Sequence, residues 1–298
     1  MSEEPQLISP IDEPRAASRL DWRMRTYWKP ALLVGLLLYL YLPTLIDLGK
    51  VLINDPNSSH GLLVPPIVGY LIWRRRARLA EVTKAASPVA LLVVLAGAVL
   101  LPLGQAAEVS ALPPLSLLIV LAGVIWHIWG WGVVRVLLFP ALLLLFALPW
   151  PGLLVETMTF QLSLFASKAA AATLNLLGIA AVREGVMIHM GGYTFEVAAP
   201  CSGIRSMAAL MTLGALCAFL LKGSRLRRLI LFATVPPLAM LGNAVRIVVI
   251  LLIARTWGTK AAEGFYHDFS GIIVFMVTFL LLLAVARLIG LKQIKEEL

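Results

Sequence analysis

Lys222-Gly223-Ser224-Arg225-Leu226-Arg227-Arg228 is a basic hairpin of sequence between two apolar runs, 201–221 and 229–252. Each run is long enough to cross the hydrocarbon of a bilayer, which takes about 20 apolar residues. Lys and Arg in short loops stay on the cytoplasmic side, so this segment fixes which way its neighbours run. Further apolar stretches lie at about 30–48, 61–73, 87–104, 112–129, 133–149 and 269–289. Three more basic clusters accompany them: Arg15/Arg19/Arg23/Arg25/Lys29, Arg74/Arg75/Arg76/Arg78 and Arg287/Lys292/Lys295. Placing all four inside predicts an all-α polytopic membrane protein with about eight transmembrane helices and both termini cytoplasmic. Arg135 then falls on an inner loop.

Of the 298 residues 60% are apolar, and the net charge is +9. A positive balance of that size otherwise suggests nucleic acid, but here it sits in short loops beside apolar runs, so no nucleic-acid partner is expected. Residues 1–28 are polar and Pro-containing and read as a flexible cytoplasmic tail. Residues 29–292 read as one transmembrane domain. Two cysteines are too few for a disulfide framework. Cys201 and Cys217, 16 residues apart on one helix, would stand roughly 24 Å apart and cannot pair within the chain.

The segment 153–180 is apolar enough to be another span, which would put Lys222–Arg228 outside. Gln161, Lys168 and Asn175 recur every seven residues, with Glu156, Ser163 and Ser167 nearby. The reading that saves the charge pattern is an amphipathic helix on or dipping into the outer face. The span at 61–73 is short and carries Pro65-Pro66, which predicts a kink or tilt. At 185–199 the period changes to two: Val186, Ile188 and Met190 alternate with Met187 and His189, then Tyr193, Phe195 and Val197 alternate with Thr194 and Glu196. Gly191-Gly192 between them signals a two-residue β-hairpin, which delivers the chain to Ala199-Pro200-Cys201-Ser202-Gly203-Ile204-Arg205-Ser206.

On this topology Cys201 opens an inward-running helix from the outside. A thiol at a helix N-terminus ionises more readily. Arg246 lies within the last two turns of the next span before its outer end, and His267 lies just before the final span re-enters. The three share one depth. A buried guanidinium costs several kcal/mol unless paired or wet, so Arg246 is a functional candidate, with pairing to Glu196 or Asp268 as its structural alternative. Asn243, one turn earlier, is placed to orient it. Arg205 shares a helix face with Cys201 and could tune the thiol, bind a carboxylate or snorkel. Cys217, among Leu, Ala and Phe, reads as a small hydrophobe. His127 lies near an inner end. His60, His189 and His267 all fall outside. His267 is preferred, although His60 could line the site, and His189 is explained by a cross-strand hydrogen bond to Thr194.

Taken together, Ser59-His60-Gly61-Leu62-Leu63-Val64-Pro65, Ala199–Ser206, Asn243-Ala244-Val245-Arg246-Ile247 and His267 ahead of a final apolar span resemble the exosortase/archaeosortase family over roughly 40–290. That resemblance implies a membrane cysteine transpeptidase with a Cys–Arg–His set at Cys201, Arg246 and His267. His60, His189, Glu196, Ser202, Gly203, Arg205 and Asn243 are the supporting candidates. It implies substrates that are membrane-anchored precursors with a C-terminal sorting tail: a short Pro-Glu-Pro-like motif, a transmembrane helix and a basic cluster. It further implies a bacterial inner-membrane location, cleavage on the periplasmic face and an association with exopolysaccharide production. No cofactor or metal is expected, there being no His-Glu-x-x-His cluster. Small residues at Gly203, Ala208, Ala209, Gly214 and Ala215 suggest a groove for the substrate helix. The competing readings are a transporter that uses Arg246 for an anion, a non-catalytic scaffold for polysaccharide export, and a hydrolase that passes the acyl group to water.

Overall fold

Apolar helices of the expected positions dominate the computed structural model, which is 77% helical. It describes residues 15–197, 201–258, 262 and 265–294, with side chains at all of these except 15–27, 29–31 and 265–268. Contacts divide the chain into residues 1–46 and 47–298. The first unit is most of helix α1 (Arg15–Asn54), which begins well ahead of the apolar stretch it contains.

In the second unit the helices follow in order: α2 (Val64–Arg74), α3 (Arg76–Glu81), α4 (Ala90–Ala106), α5 (Leu112–Trp129), α6 (Trp131–Leu144) and α7 (Gly152–Leu176). After a small sheet come α8 (Ile204–Leu220), α9 (Arg225–Ala233), α10 (Val235–Trp257) and α11 (Phe265–Leu288). Four segments are long and apolar enough to cross a membrane: Leu32–Asn54, Leu112–Trp129, Arg225–Trp257 and Phe269–Leu288. A fifth arises if the pair Trp131–Ala147 and Gly152–Leu176, bent by 76°, is one span. Ala90–Ala106 and Ile204–Leu220 are apolar but shorter. Length and composition thus support four or five crossings in the described residues, below the eight expected from loop charge.

Two expectations are modified for local reasons. Pro65 and Pro66 do not kink a helix; they start α2, where a missing N–H costs nothing. Ahead of them lies a 3₁₀ turn, Ser59–Leu63. With 11 residues α2 is about 16 Å long, half the hydrocarbon thickness. The polar stripe of α7 holds for the residues that recur every seven, and the nearby serines depart from it. Glu156, Gln161, Lys168 and Asn175 are exposed, whereas Ser163 and Ser167 are buried with Ala166, Ala170, Ala171 and Leu174. The exposed face carries Leu153, Leu154, Phe160 and Phe165. The inward face is thus made of small residues, and the outward face mixes these large apolar side chains with polar ones.

The hairpin forms as its period predicts. β2 (Met187–Met190) pairs antiparallel with β3 (Tyr193–Glu196) across Gly191-Gly192. Both glycines have positive φ, 54° and 85°, which the two-residue turn requires. A third strand that the alternation did not reveal, β1 (Ala181–Glu184), pairs with β2. It follows directly from α7, because the Asn175 amide donates to the Ala181 carbonyl (2.9 Å) and accepts the Ala181 N–H (3.0 Å). Ile188, Met190 and Val197 bury against Ala170, Leu174, Ile247, Val248 and Leu251, so the sheet rests on α7 and α10.

The other end of α8 gathers the basic loops. The Lys222 N–H donates to the Gln293 carbonyl at 2.7 Å, and Leu221 bridges Ile294. Arg75 lies 4.5 Å from the centre of the Phe219 ring and donates to the Val136 carbonyl. The clusters near residues 75, 225 and 290 therefore meet at one end of α8. Cys201 precedes the other end, which the 17 residues of the helix place about 25 Å away.

Candidate active site

Cys201 stands in a three-residue turn whose geometry depends on Gly203. That glycine has φ +85° and ends the turn, so α8 starts at Ile204. The Ser202 hydroxyl accepts the Ile204 N–H at 3.4 Å, and the Gly203 carbonyl accepts the Met207 N–H at 2.9 Å. A β-carbon at 203 would stand 2.7 Å from Asn243 Cγ and 2.9 Å from its Cβ. Gly203 is thus required twice, for a left-handed backbone and for the close approach of α10. Cys201 is 6% exposed and packs with Ala166, Ala170, Ile188, Val197 and Ile247. Ala199 and Pro200 lie outside the described residues.

Asn243 reaches this turn from α10. Its amide donates to the Cys201 carbonyl at 2.8 Å, in a buried bond spanning 42 residues. The sequence spacing suggested that Asn243 orients Arg246; its amide is spent on the cysteine turn instead. The reason is the glycine, which brings Asn243 onto the loop.

Arg246 lies one turn further along α10 and is only 8% exposed. Its Nε donates to the Ser270 hydroxyl at 3.4 Å. A β-carbon on Gly271 would lie 3.4 Å from the guanidinium carbon, so Gly271 leaves the room the group occupies. The charge is within electrostatic range of the Cys201 thiol. The structure therefore brings Cys201, Asn243 and Arg246 together from α8 and α10, with Ser270 and Gly271 of α11 behind them. Spacing alone missed Ser270 and Gly271; the signal available was two small residues three and four positions after His267, on the same helix face. Arg246 is also deeper in its helix than expected. α10 runs on for 11 residues, to Trp257, and Ile247, Ile250, Leu251 and Ala254 in that extension are buried, in part beneath the sheet.

The remaining candidates divide. The His267 backbone sits in the first turn of α11, and its side chain lies outside the described residues, as does that of Asp268. His60 faces two backbone carbonyls, Asn57 at 3.1 Å from Nδ1 and Phe146 at 3.0 Å from Nε2, and so pins its own 3₁₀ turn to a second one, Leu145–Ala147. A neutral ring donates to only one of them. Burial lowers its pKa below the ordinary imidazole value; the carbonyl bonds oppose this, and the Arg205 charge adds to it. Arg205 is exposed and acts on His60. His189 Nδ1 bonds the Thr194 hydroxyl at 2.9 Å across the hairpin, as expected, with Glu184 3.6 Å from Nε2. Glu196 is exposed on β3. Cys217 is half-buried mid-helix, and His127 bonds the Ser87 carbonyl at 3.0 Å.

The small-residue groove expected along α8 is already filled by the protein itself. Gly203 is covered by Asn243, Gly214 abuts the Val235 side chain, and Ala208 is buried. Only Ala209 and Ala215 of the five retain partial exposure.

No curated protein and no solved structure matches the chain. A family model described as transmembrane exosortase matches residues 52–284, from the end of α1 to the last turns of α11, and so takes in the cysteine turn, Asn243, Arg246 and the start of the final helix. The chain belongs to the transmembrane exosortase family.

Proposed function

We propose that this protein is a membrane cysteine transpeptidase acting on exported precursors with C-terminal sorting tails. The observation that carries the reading is a buried Cys201 whose carbonyl is tied by Asn243 to the helix that also carries the buried Arg246. In this mechanism His267 takes the Cys201 proton, and the sulfur attacks the carbonyl beside the sorting motif. The oxygen of the tetrahedral intermediate takes its negative charge against Arg246, a term of about 3 kcal/mol by analogy with oxyanion-hole donors. Collapse breaks the C–N bond, and His267 returns the proton to the departing amine of the tail. The acceptor then gives its proton to His267 and displaces the sulfur, so the thioester is consumed and the thiol restored.

The position of His267 supports this role. It lies one turn ahead of Ser270, which accepts from Arg246, and Gly271, which leaves room for that group, while His60 and His189 are each engaged elsewhere. The meeting of basic loops at the far end of α8 supports a topology in which that end is cytoplasmic and Cys201 periplasmic. Eight crossings, cytoplasmic termini with residues 1–28 as a tail, and an inner-membrane location complete this reading.

Replacing Cys201 with Ala or Ser tests it. In cells carrying a sorting-tail precursor, C201A and C201S leave the precursor uncut at wild-type enzyme levels. Normal processing by either variant removes the cysteine nucleophile. Mass spectrometry of the mature C-terminus then separates transfer to an acceptor from hydrolysis.

A further inference from the structure

Beside the basic end of α8 an apolar cavity of about 510 Å³ opens between α6, α8 and α9. Its floor is Phe139 stacked on Phe219, 3.6 Å between ring centres, and its wall is Phe146 edge-on to Phe232. Arg225 and Arg228 reach its rim from the first turn of α9. The Arg228 Nε is buried without a hydrogen-bond partner. A buried donor in that state costs free energy until something accepts from it. Two guanidiniums, a helix N-terminus and an aromatic trough form a site for a molecule with an anionic head and an apolar tail.

We infer that this groove binds an anionic phospholipid, with the phosphate on Arg225 and Arg228 and an acyl chain along Phe139, Phe219 and Phe232. A zwitterionic lipid fills the same trough but gains less at the rim. The helix of a sorting tail is the poorer occupant, because its own basic cluster would lie against the two arginines. The inference is independent of the chemistry proposed at Cys201, from which the groove lies toward the opposite end of α8.

Purified full-length protein in nanodiscs of equal phosphatidylglycerol and phosphatidylcholine tests it, with co-purified lipid counted by native mass spectrometry. The wild type retains phosphatidylglycerol over phosphatidylcholine by roughly tenfold, as two arginines at a membrane interface allow. R225Q/R228Q falls to within about twofold, while R227Q/R287Q, which removes the same charge outside the groove, keeps the preference. A218W fills the trough with both arginines intact and lowers retention of both lipids, which covers the case of a poorly folding double variant. Equal retention by the wild type overturns the inference, and so does a preference unmoved by both R225Q/R228Q and A218W. Cross-linking of a sorting-tail peptide from position 229 would assign the groove to substrate instead.

Discussion

The two ends of α8 solve opposite problems. At the Cys201 end, polar groups are buried and held by long-range partners: Asn243 on the cysteine carbonyl, and Ser270 on Arg246. At the Lys222 end most charges stay at the surface, Arg75 excepted, whose buried guanidinium meets the Val136 carbonyl and the Phe219 ring, and the chain is clamped through backbone, by Lys222 to Gln293 and Leu221 to Ile294. Burying a guanidinium is costly and is tolerated where it serves a purpose, whereas an exposed basic loop fixes orientation at little cost. In the function proposed above, the Cys201 end carries the chemistry and the basic end sets the orientation.

The largest effect that tests this division is at Arg246. R246A should lower the rate constant for precursor processing by about 10² to 10³, as loss of an oxyanion donor does. R246K should recover little, because an ammonium does not reproduce the planar fork. Pulse-chase of the precursor measures both, and near-normal processing by R246A would leave the buried charge with a structural role alone.

Sidedness comes next. In a background free of native cysteines, a cysteine at 224 should react with a membrane-impermeant thiol reagent only from the cytoplasmic side. One at 196 should react only from outside. Labelling of both from the same side would undo the opposition of the two ends.

A smaller effect is expected at the cysteine turn. G203A forces a left-handed alanine against Asn243 and should cost about 1–3 kcal/mol. N243A loses the buried bond to Cys201 and should cost a similar amount. The double variant removes the contacts with Asn243 Cγ and Nδ2 and keeps only that with Cβ, so thermal unfolding should show G203A/N243A less destabilised than the sum. Strict additivity would mean that the two residues do not act through one contact.

The smallest effect concerns His60. Burial holds its folded pKa below the ordinary 6.5, so the unfolded chain binds the proton more readily. Its contribution to stability is whole above 6.5 and is lost as the pH falls through that value toward the folded pKa. The thermal midpoint of the wild type should therefore drop more than that of H60Q between about pH 8 and pH 5.5. Equal drops would place the acid sensitivity elsewhere.

Much of the site was legible because its signals are local. The glycine pair with flanking alternation specified the hairpin and the His189–Thr194 contact, and the residues of the Cys201 turn and α10 marked the buried centre. The misreadings at and around the site concern partners. Asn243 was assigned to the neighbour on its own helix, the small residues of α8 to a foreign helix, and the serines of α7 to a polar face. Spacing along one helix says which residues share a side, and not what that side meets.

Composition and loop charge determined by themselves that this is a helical membrane protein with its basic loops grouped, because the transfer of apolar and charged groups into a bilayer depends on residue type more than on neighbours. Tertiary structure alone decided that Gly203 admits Asn243, that Ser270 and Gly271 frame Arg246, and that two arginines rim an aromatic trough. Such contacts join segments tens of residues apart, and only the packing of whole helices selects them.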